Sequence, residues 1–581
     1  MFKLLFIIGL SNLLLNSCKT APKSDKASAV KGEYGQSASS FKFVPQTWSK
    51  EERREFWYLS QGSYIIPYNW FLALSNNKQE PFISNMDAFG YIQVDGKDKL
   101  PIGFTKEEPT DKFPTLKDNG QWLGISCAGC HVGSIKHEGK EVIIEGAPAM
   151  TEFRNFSVAL ETELRHAIEK DYDNFAYRVA ARGTPIPSRE EAELVLKNFA
   201  ERNNRSFKRR DGSLIACGPS RTDAFSVILN EVTAANLGED TNLRDADSPV
   251  SYPHVWGAPQ LRWVQWNGLT NNAFTRNIGE TLGVFARLEM DPNKPNFLST
   301  TTNFKGIIRL EELLRTLSPP KYEDVFGKGS IDRDLSWAGK GVFDAECASC
   351  HATPANVVTN TFGARFNDVT MVSLGVLGTD PEFFINLQQR GNSKTVHFTN
   401  SSVLAKIRPM LPKLKFANDD LKNRIMSRFA GNPSAPLKAE DNGVRLLAET
   451  TFAIALKYII ENDIVIGSPE FANLTGGADF EQQSKLGAFK ARSLEGIWAT
   501  APYLHNGSVR TLAELLKPVE RREATFKIGA KDFDKDAVGY QSEGRFVFNT
   551  AQTGNSNAGH KWGTDLDETK KLALIEYLKS L

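Results

Sequence analysis

Two short stretches of the chain carry residues able to do chemistry at a fixed spacing. The first, ISCAGCHVGSI, sets Cys127 and Cys130 two residues apart with His131 directly after. The second, ECASCHATP, repeats the pattern with Cys347, Cys350 and His351. Cys-x-x-Cys-His is the attachment pattern of haem c. Two thiols must add to vinyl groups on neighbouring edges of one porphyrin, and two intervening residues set the sulfurs about that far apart. The next residue then points its imidazole at the iron from the same side. A thioredoxin-type redox pair and half of a zinc site also use paired cysteines, but neither explains a histidine after both pairs. Two covalently bound haem c groups are expected.

The chain has six cysteines in 581 residues, too few and too clustered for a disulfide framework. Cys217, in IACGPS, reads as a small buried apolar residue. Cys18 belongs to an export signal: Lys3 precedes an apolar run from Leu4 to Leu15, too short to span a bilayer. Leu15-Asn16-Ser17-Cys18 resembles a bacterial lipobox, in which Cys18 is lipidated and becomes the first mature residue, although Asn16 departs from the usual pattern. Residues 19–40 are polar and rich in small side chains, which suits a tether between a membrane anchor and a folded body. An exported, periplasmic or cell-surface protein, lipid-anchored to a bacterial membrane, is expected. Lys plus Arg number 70 against 69 Asp plus Glu, which gives no reason to expect nucleic acid as a partner. With 41% apolar and 24% charged residues the composition is that of a globular chain.

The elements that must position the motifs differ. Val342 and Phe343 lie one turn before Cys347 on a predicted helix, like the first helix of an ordinary c-type cytochrome. The first motif instead follows GQWLGIS and precedes IKHEGKEVIIEG, which reads as strand, tight turn at Glu138-Gly139, and strand. At the far end, Leu572, Ile575, Leu578 and Leu581 recur at helical spacing, with Asp567 and Glu568 in the first turn and Lys579 in the last. A mainly α fold follows: two cytochrome c-like haem domains, residues 41–325 and 326–581, with long irregular insertions and a few short β-hairpins. In c-type cytochromes a methionine just before such a last helix usually supplies the sixth ligand. No methionine follows Met426, and His560 stands in that place, so His351 and His560 are expected to hold the second haem; His505 is the runner-up. For the first haem no sixth ligand stands out among His137, His166, His254, Met150 and Met290.

The two motifs, with APYLHNGSVRTLAELL between the second and the last helix, resemble the bacterial di-haem cytochrome c peroxidases and their relatives. Residues 265–290 are similar to that family's segment between the haems: Trp266-Asn267-Gly268, Gly283 and Glu289-Met290 match its parts. The stretch departs from the peroxidases by four extra residues after Trp266 and by Glu280 where they have glutamine. QGSYIIPYNWFLAL (61–74), YLHNGSVRTLAELLKP (503–518) and NSNAGHKWGTDL (555–566) are more similar to the rubber oxygenase branch of the same superfamily. That resemblance spans roughly residues 41–581 and agrees with histidine at 560.

The resemblance implies a division of labour. A small cytochrome c or cupredoxin reduces the haem at His351 and His560, Trp266 lies between the haems, and the haem on His131 takes the oxidant. Glu289 is implied as the group that moves a proton between peroxide oxygens, and Phe285 as the residue over the open haem. The peroxidases also imply a calcium ion between the haem domains. Three activities follow: reduction of peroxide, the first expectation; dioxygen-dependent cleavage of a hydrophobic alkene; or electron carriage by two six-coordinate haems.

Overall fold

The computed structural model describes residues 40–581 apart from 76–79, 117–119, 210, 292, 352–355, 361, 390–407, 430–441 and 479–486. The export signal, Cys18 and the tether through residue 39 lie outside the described residues. Strand β1 (Phe41–Phe43) opens the fold. Strands β2 (Phe104–Glu107) and β3 (Trp122–Ile125) pair antiparallel and lead into a single helical turn, α1 (Ala128–His131), which holds the first motif. Strands β4 (Val132–His137) and β5 (Lys140–Glu145) follow as the expected hairpin. Glu138 and Gly139, at φ 49° and 71°, are both left-handed, as a two-residue turn that keeps the strands' right-handed twist requires. β1 adds to β5 in parallel and completes a three-stranded sheet.

Helix α2 (Ala273–Gly283), capped by Asn272 on the Thr275 amide, carries Arg276, Glu280 and Gly283 at helical spacing on one face. Helix α3 (Arg333–Glu346) begins at Asp332, whose carboxylate accepts from the Asp334 and Leu335 amides, and ends at Cys347. Strand β6 (Thr370–Ser373) pairs antiparallel with β7 (Ala488–Ala491), setting Met371 opposite Lys490. Between them in sequence, helix α4 (Asn442–Glu461) packs against α2. Its Ala453, Ile454, Ala455 and Leu456 are all buried, so it is covered on every side at its middle. No helix among the described residues is long and apolar enough to cross a membrane.

Helix α5 (Glu568–Ser580), capped by Asp567, crosses α3 at Gly339, where a Cβ would stand 1.9 Å from the Ala573 carbonyl oxygen. The Phe343 and Tyr577 rings meet nearby at 5.2 Å. The buried stripe of α5 is Leu574, Ile575 and Leu578; Ile575 and Leu578 lie on it as expected, while Leu572 is 58% exposed and Leu574 is buried in its stead.

One apolar core runs from Val142 and Ile144 in the first hairpin through Trp498 to Phe343 and Leu574, so packing is continuous across residues 325 and 326. The mainly α expectation needs correction. Helices are joined by one three-stranded and seven two-stranded sheets among the described residues, and the architecture is mixed. Short pairings of two to four residues leave little alternation to read in a sequence.

Candidate functional site

The first motif is held by backbone. The Ser126 amide donates to the Gly103 carbonyl at 2.8 Å, and the Cys130 and His131 amides both donate to the Cys127 carbonyl. Gly103 lies so close to the turn that a Cβ would stand 2.0 Å from the Gly129 nitrogen. His131 Nδ1 lies 2.8 Å from the Pro253 carbonyl oxygen. A carbonyl only accepts, so Nδ1 carries the proton and Nε2 keeps its lone pair for a metal. Burial takes His131 down to about 4, which keeps the ring neutral. Burial also pushes Cys127 and Cys130 up to about 12. These are protonated thiols, the opposite of the lowered values of a redox-active pair.

The second motif reaches the same result from another fold. Cys347 is the C-cap of α3, and His351 Nδ1 lies 2.6 Å from the Arg492 carbonyl oxygen. The ring of His560 faces His351 with centres 6.3 Å apart. Two imidazoles on opposite sides of one metal, each with a nitrogen about 2.0–2.1 Å away, put their ring centres roughly 6 Å apart. His560 is fixed through its backbone. Its amide donates to the Leu377 carbonyl at 3.0 Å, its carbonyl accepts from Arg522 Nη2 at 3.0 Å, and its φ is 49°. Its Nδ1 is buried with no hydrogen-bond partner among the described residues. Burial brings His560 down to about 4.

Each motif opens onto a largely apolar cavity, and the two cavities are of similar size, about 210 and 230 Å³. They share a wall. Residues 251–254, Trp266, Lys490 and Arg492 line both. Trp266 donates Nε1 to the Ser251 carbonyl at 3.1 Å and accepts at its own carbonyl from the Lys490 amide. Arg492 donates to the His254 carbonyl at 2.6 Å and the Trp256 carbonyl at 3.2 Å. Burial holds Lys490 well below the usual lysine value and brings Arg492 down to about 9.

The sequence-predicted residues are distributed unevenly. Trp266, both motifs and His560 line the cavities, and Trp266 stands in the wall between them. Glu289 does not line the first cavity. It lies beyond the end of α2, paired with Lys294 at 2.7 Å. The carboxylates that do line it are Glu280 and Glu311; Glu280 accepts from Gln265 at 3.0 Å and stands 3.7 Å from Arg276. Burial raises the Glu280 pKa above the usual carboxylate value, against the pull of Arg276. The spacing of 276, 280 and 283 on one helical face was the available signal. Phe285 is likewise not on the cavity surface; it packs behind Phe153, which is, with ring centres 6.2 Å apart. Among the proposed sixth ligands of the first haem, His137 packs on Phe326, His166 is exposed, and Met150 and Met290 are buried in apolar clusters. Only His254 of these lines the cavity, stacked on Trp256 at 4.6 Å and adjoining the carbonyl that holds His131. His505 lines the second cavity, stacked on Phe489 at 4.3 Å. Cys217 is buried as expected. Among the described residues no three His, Cys, Asp or Glu gather around a metal-sized point, and no cluster marks a calcium site.

A family described as RoxA-like, cytochrome c-like matches residues 488–527, a stretch that begins with β7 and contains Lys490, Arg492 and His505. A cytochrome c-like domain implies haem c, and the match supports a RoxA-like cytochrome. The chain is similar to the protein y4iJ of Sinorhizobium fredii, 28% identical over 93% of each chain. It is also similar to y4iM of the same organism, 26% identical over 50% of this chain and 48% of that one. Both relatives are described as uncharacterized.

Proposed function

We propose that the protein is an exported di-haem c-type oxidoreductase that draws electrons from a small cytochrome c or cupredoxin and reduces peroxide. The observation that carries this reading is the shared wall. Two Cys-x-x-Cys-His cavities of similar size abut across residues 251–254 and Trp266. A haem c at each motif would supply an iron that changes oxidation state by one electron and, where a coordination position is open, takes a small oxidant.

The chain's own groups divide the work. Pro253 and Arg492 carbonyls hold the Nδ1 protons of His131 and His351, so each ring offers Nε2 in a set orientation. His560 opposes His351 and closes that centre to exogenous ligands, which makes it the electron-entry side. Trp266 fills the space between the centres and is itself held by Ser251. On the His131 side Glu280 takes the proton from one peroxide oxygen and returns it to the other, the role sequence reasoning had given to Glu289. Its raised pKa brings proton uptake and release closer to neutrality.

The RoxA-like match and the phenylalanine side of the first cavity, with Phe153 and Phe207, favour a second reading, dioxygen-dependent cleavage of a hydrophobic alkene. Paramagnetic resonance of the oxidised protein tests the shared frame: one low-spin and one high-spin haem are expected. Two low-spin haems would convert the reading to an electron carrier. Turnover of peroxide with reduced cytochrome c, set beside cleavage of a polyisoprene oligomer, then decides between the two enzymes.

A further inference from the structure

The wall between the cavities holds more positive charge than the protein neutralises. The second cavity is lined by Lys490 and Arg492 and by no aspartate or glutamate among the described residues. The first is lined by Arg276, Lys490 and Arg492 against Glu280 and Glu311. Arg276 takes Glu311 at 2.7 Å and Glu280 at 3.7 Å, which leaves both carboxylates on the α2 side. Lys490 Nζ reaches only the Trp263 carbonyl, at 3.3 Å, among the described residues. Lys490 is half-buried and borders both cavities. Arg492 is 8% exposed, its guanidinium bonded to two carbonyls, and its Nε has no partner among the described residues.

Carbonyl dipoles orient a buried cation but do not cancel its charge, and a buried charge without a counterion is costly. Two such cations, two residues apart, face the same pair of cavities. Glu280 acts on Lys490 and Glu495 on Arg492 at a distance, but neither forms an ion pair with them among the described residues. An anion in direct contact would come from what the cavities hold, and the ionised groups of haem c are its two propionate carboxylates. Arg492 also reaches the hydrogen bonding of both motifs. Its carbonyl holds His351, and its guanidinium holds the carbonyl of His254, next to the Pro253 carbonyl that holds His131.

We propose that Lys490 and Arg492 form one cationic anchor for propionates of both haems, so that a single strand end sets the reduction potential of both centres. The inference rests on the di-haem reading. Lys490 is the better probe, since Arg492 also positions His351 through its backbone.

The test is a spectroelectrochemical titration of the full, haem-loaded chain carrying Lys490→Met, with Lys490→Gln as a second uncharged variant should the first not accumulate. Loss of a positive charge beside the carboxylates stabilises the ferric form. Both potentials should therefore fall by at least a tenfold shift of the reduction equilibrium, 59 mV for a one-electron couple. Lys490→Arg should restore both. A shift confined to one haem, or none in either, overturns the shared anchor. A wild-type protein with fewer than two covalent haems would instead overturn the di-haem reading on which it rests.

Discussion

The Cys127–His131 region and the Cys347–His351 region share a five-residue pattern and are built on different scaffolds. The first is a single helical turn between strand pairs, close against Gly103; the second caps a helix of 14 residues crossed by α5. What they have in common is a backbone carbonyl on the histidine Nδ1, from Pro253 in one case and Arg492 in the other. A haem-binding histidine therefore needs a fixed tautomer and a cavity more than it needs a particular local fold. The difference lies on the far side of each cavity. His560 faces His351, whereas the first cavity offers the carboxylate of Glu280. In the proposed function the second imidazole suits an electron-transfer centre, and the proton-handling group suits a centre for chemistry.

The largest effects should come from removing the pattern itself. Cys130→Ala and Cys350→Ala should each lose one covalent haem of two, counted by mass spectrometry of the mature protein. Loss of both haems in either variant would mean that the regions do not assemble independently. Next, His560→Gly should open the second centre to carbon monoxide, seen as a shifted Soret band. His560→Met should keep it closed and raise its potential, since a thioether favours ferrous iron. If neither variant alters the spectrum, His505 becomes the ligand to test. For the first centre, Glu280→Gln should lower peroxide turnover by about 10²-fold or more, and Glu289→Gln should leave it within a few-fold. With wild type, turnover should fall as pH drops through the raised Glu280 pKa, because only the carboxylate accepts a proton. That acid limb should vanish in the glutamine variant. Equal losses in the two variants would erase the distinction between cavity and loop carboxylate.

The smallest effects concern the scaffold peculiar to the second region. Gly339→Ala sets a methyl against the Ala573 carbonyl and should destabilise by about 1–3 kcal/mol. Gly341→Ala, on the same helix with open space around it, should stabilise by up to about 1 kcal/mol. Thermal unfolding of the two variants should thus move in opposite directions.

Much of this was legible because it depends on local pattern. The motifs, the Glu138-Gly139 turn, the last helix with its charged ends and the position of His560 before it all follow from residues within a few positions of one another. The carbonyls on the two histidines were not legible, since every residue has a carbonyl and only the tertiary path selects Pro253 and Arg492. The choice between Glu280 and Glu289 turned on where α2 ends. The helix stops at Gly283, Phe285 adopts φ 72°, and neither Phe285 nor Glu289 lies on the cavity surface. Lys490 and Arg492 carry no sequence signal for a buried site, because basic residues on a short strand ordinarily face solvent.

The 6.3 Å spacing of His351 and His560 also bears on how the chain holds together. These rings lie about 200 residues apart in sequence. A metal gripped by both would act as a staple across that whole length, and it would offset a loop-closure entropy of about 5 kcal/mol that the folded chain otherwise meets by packing alone. Among the described residues no imidazole faces His131 as His560 faces His351, although His254 lines the same cavity. In the proposed division of labour, the electron-entry side would then be the mechanically fastened end of the molecule.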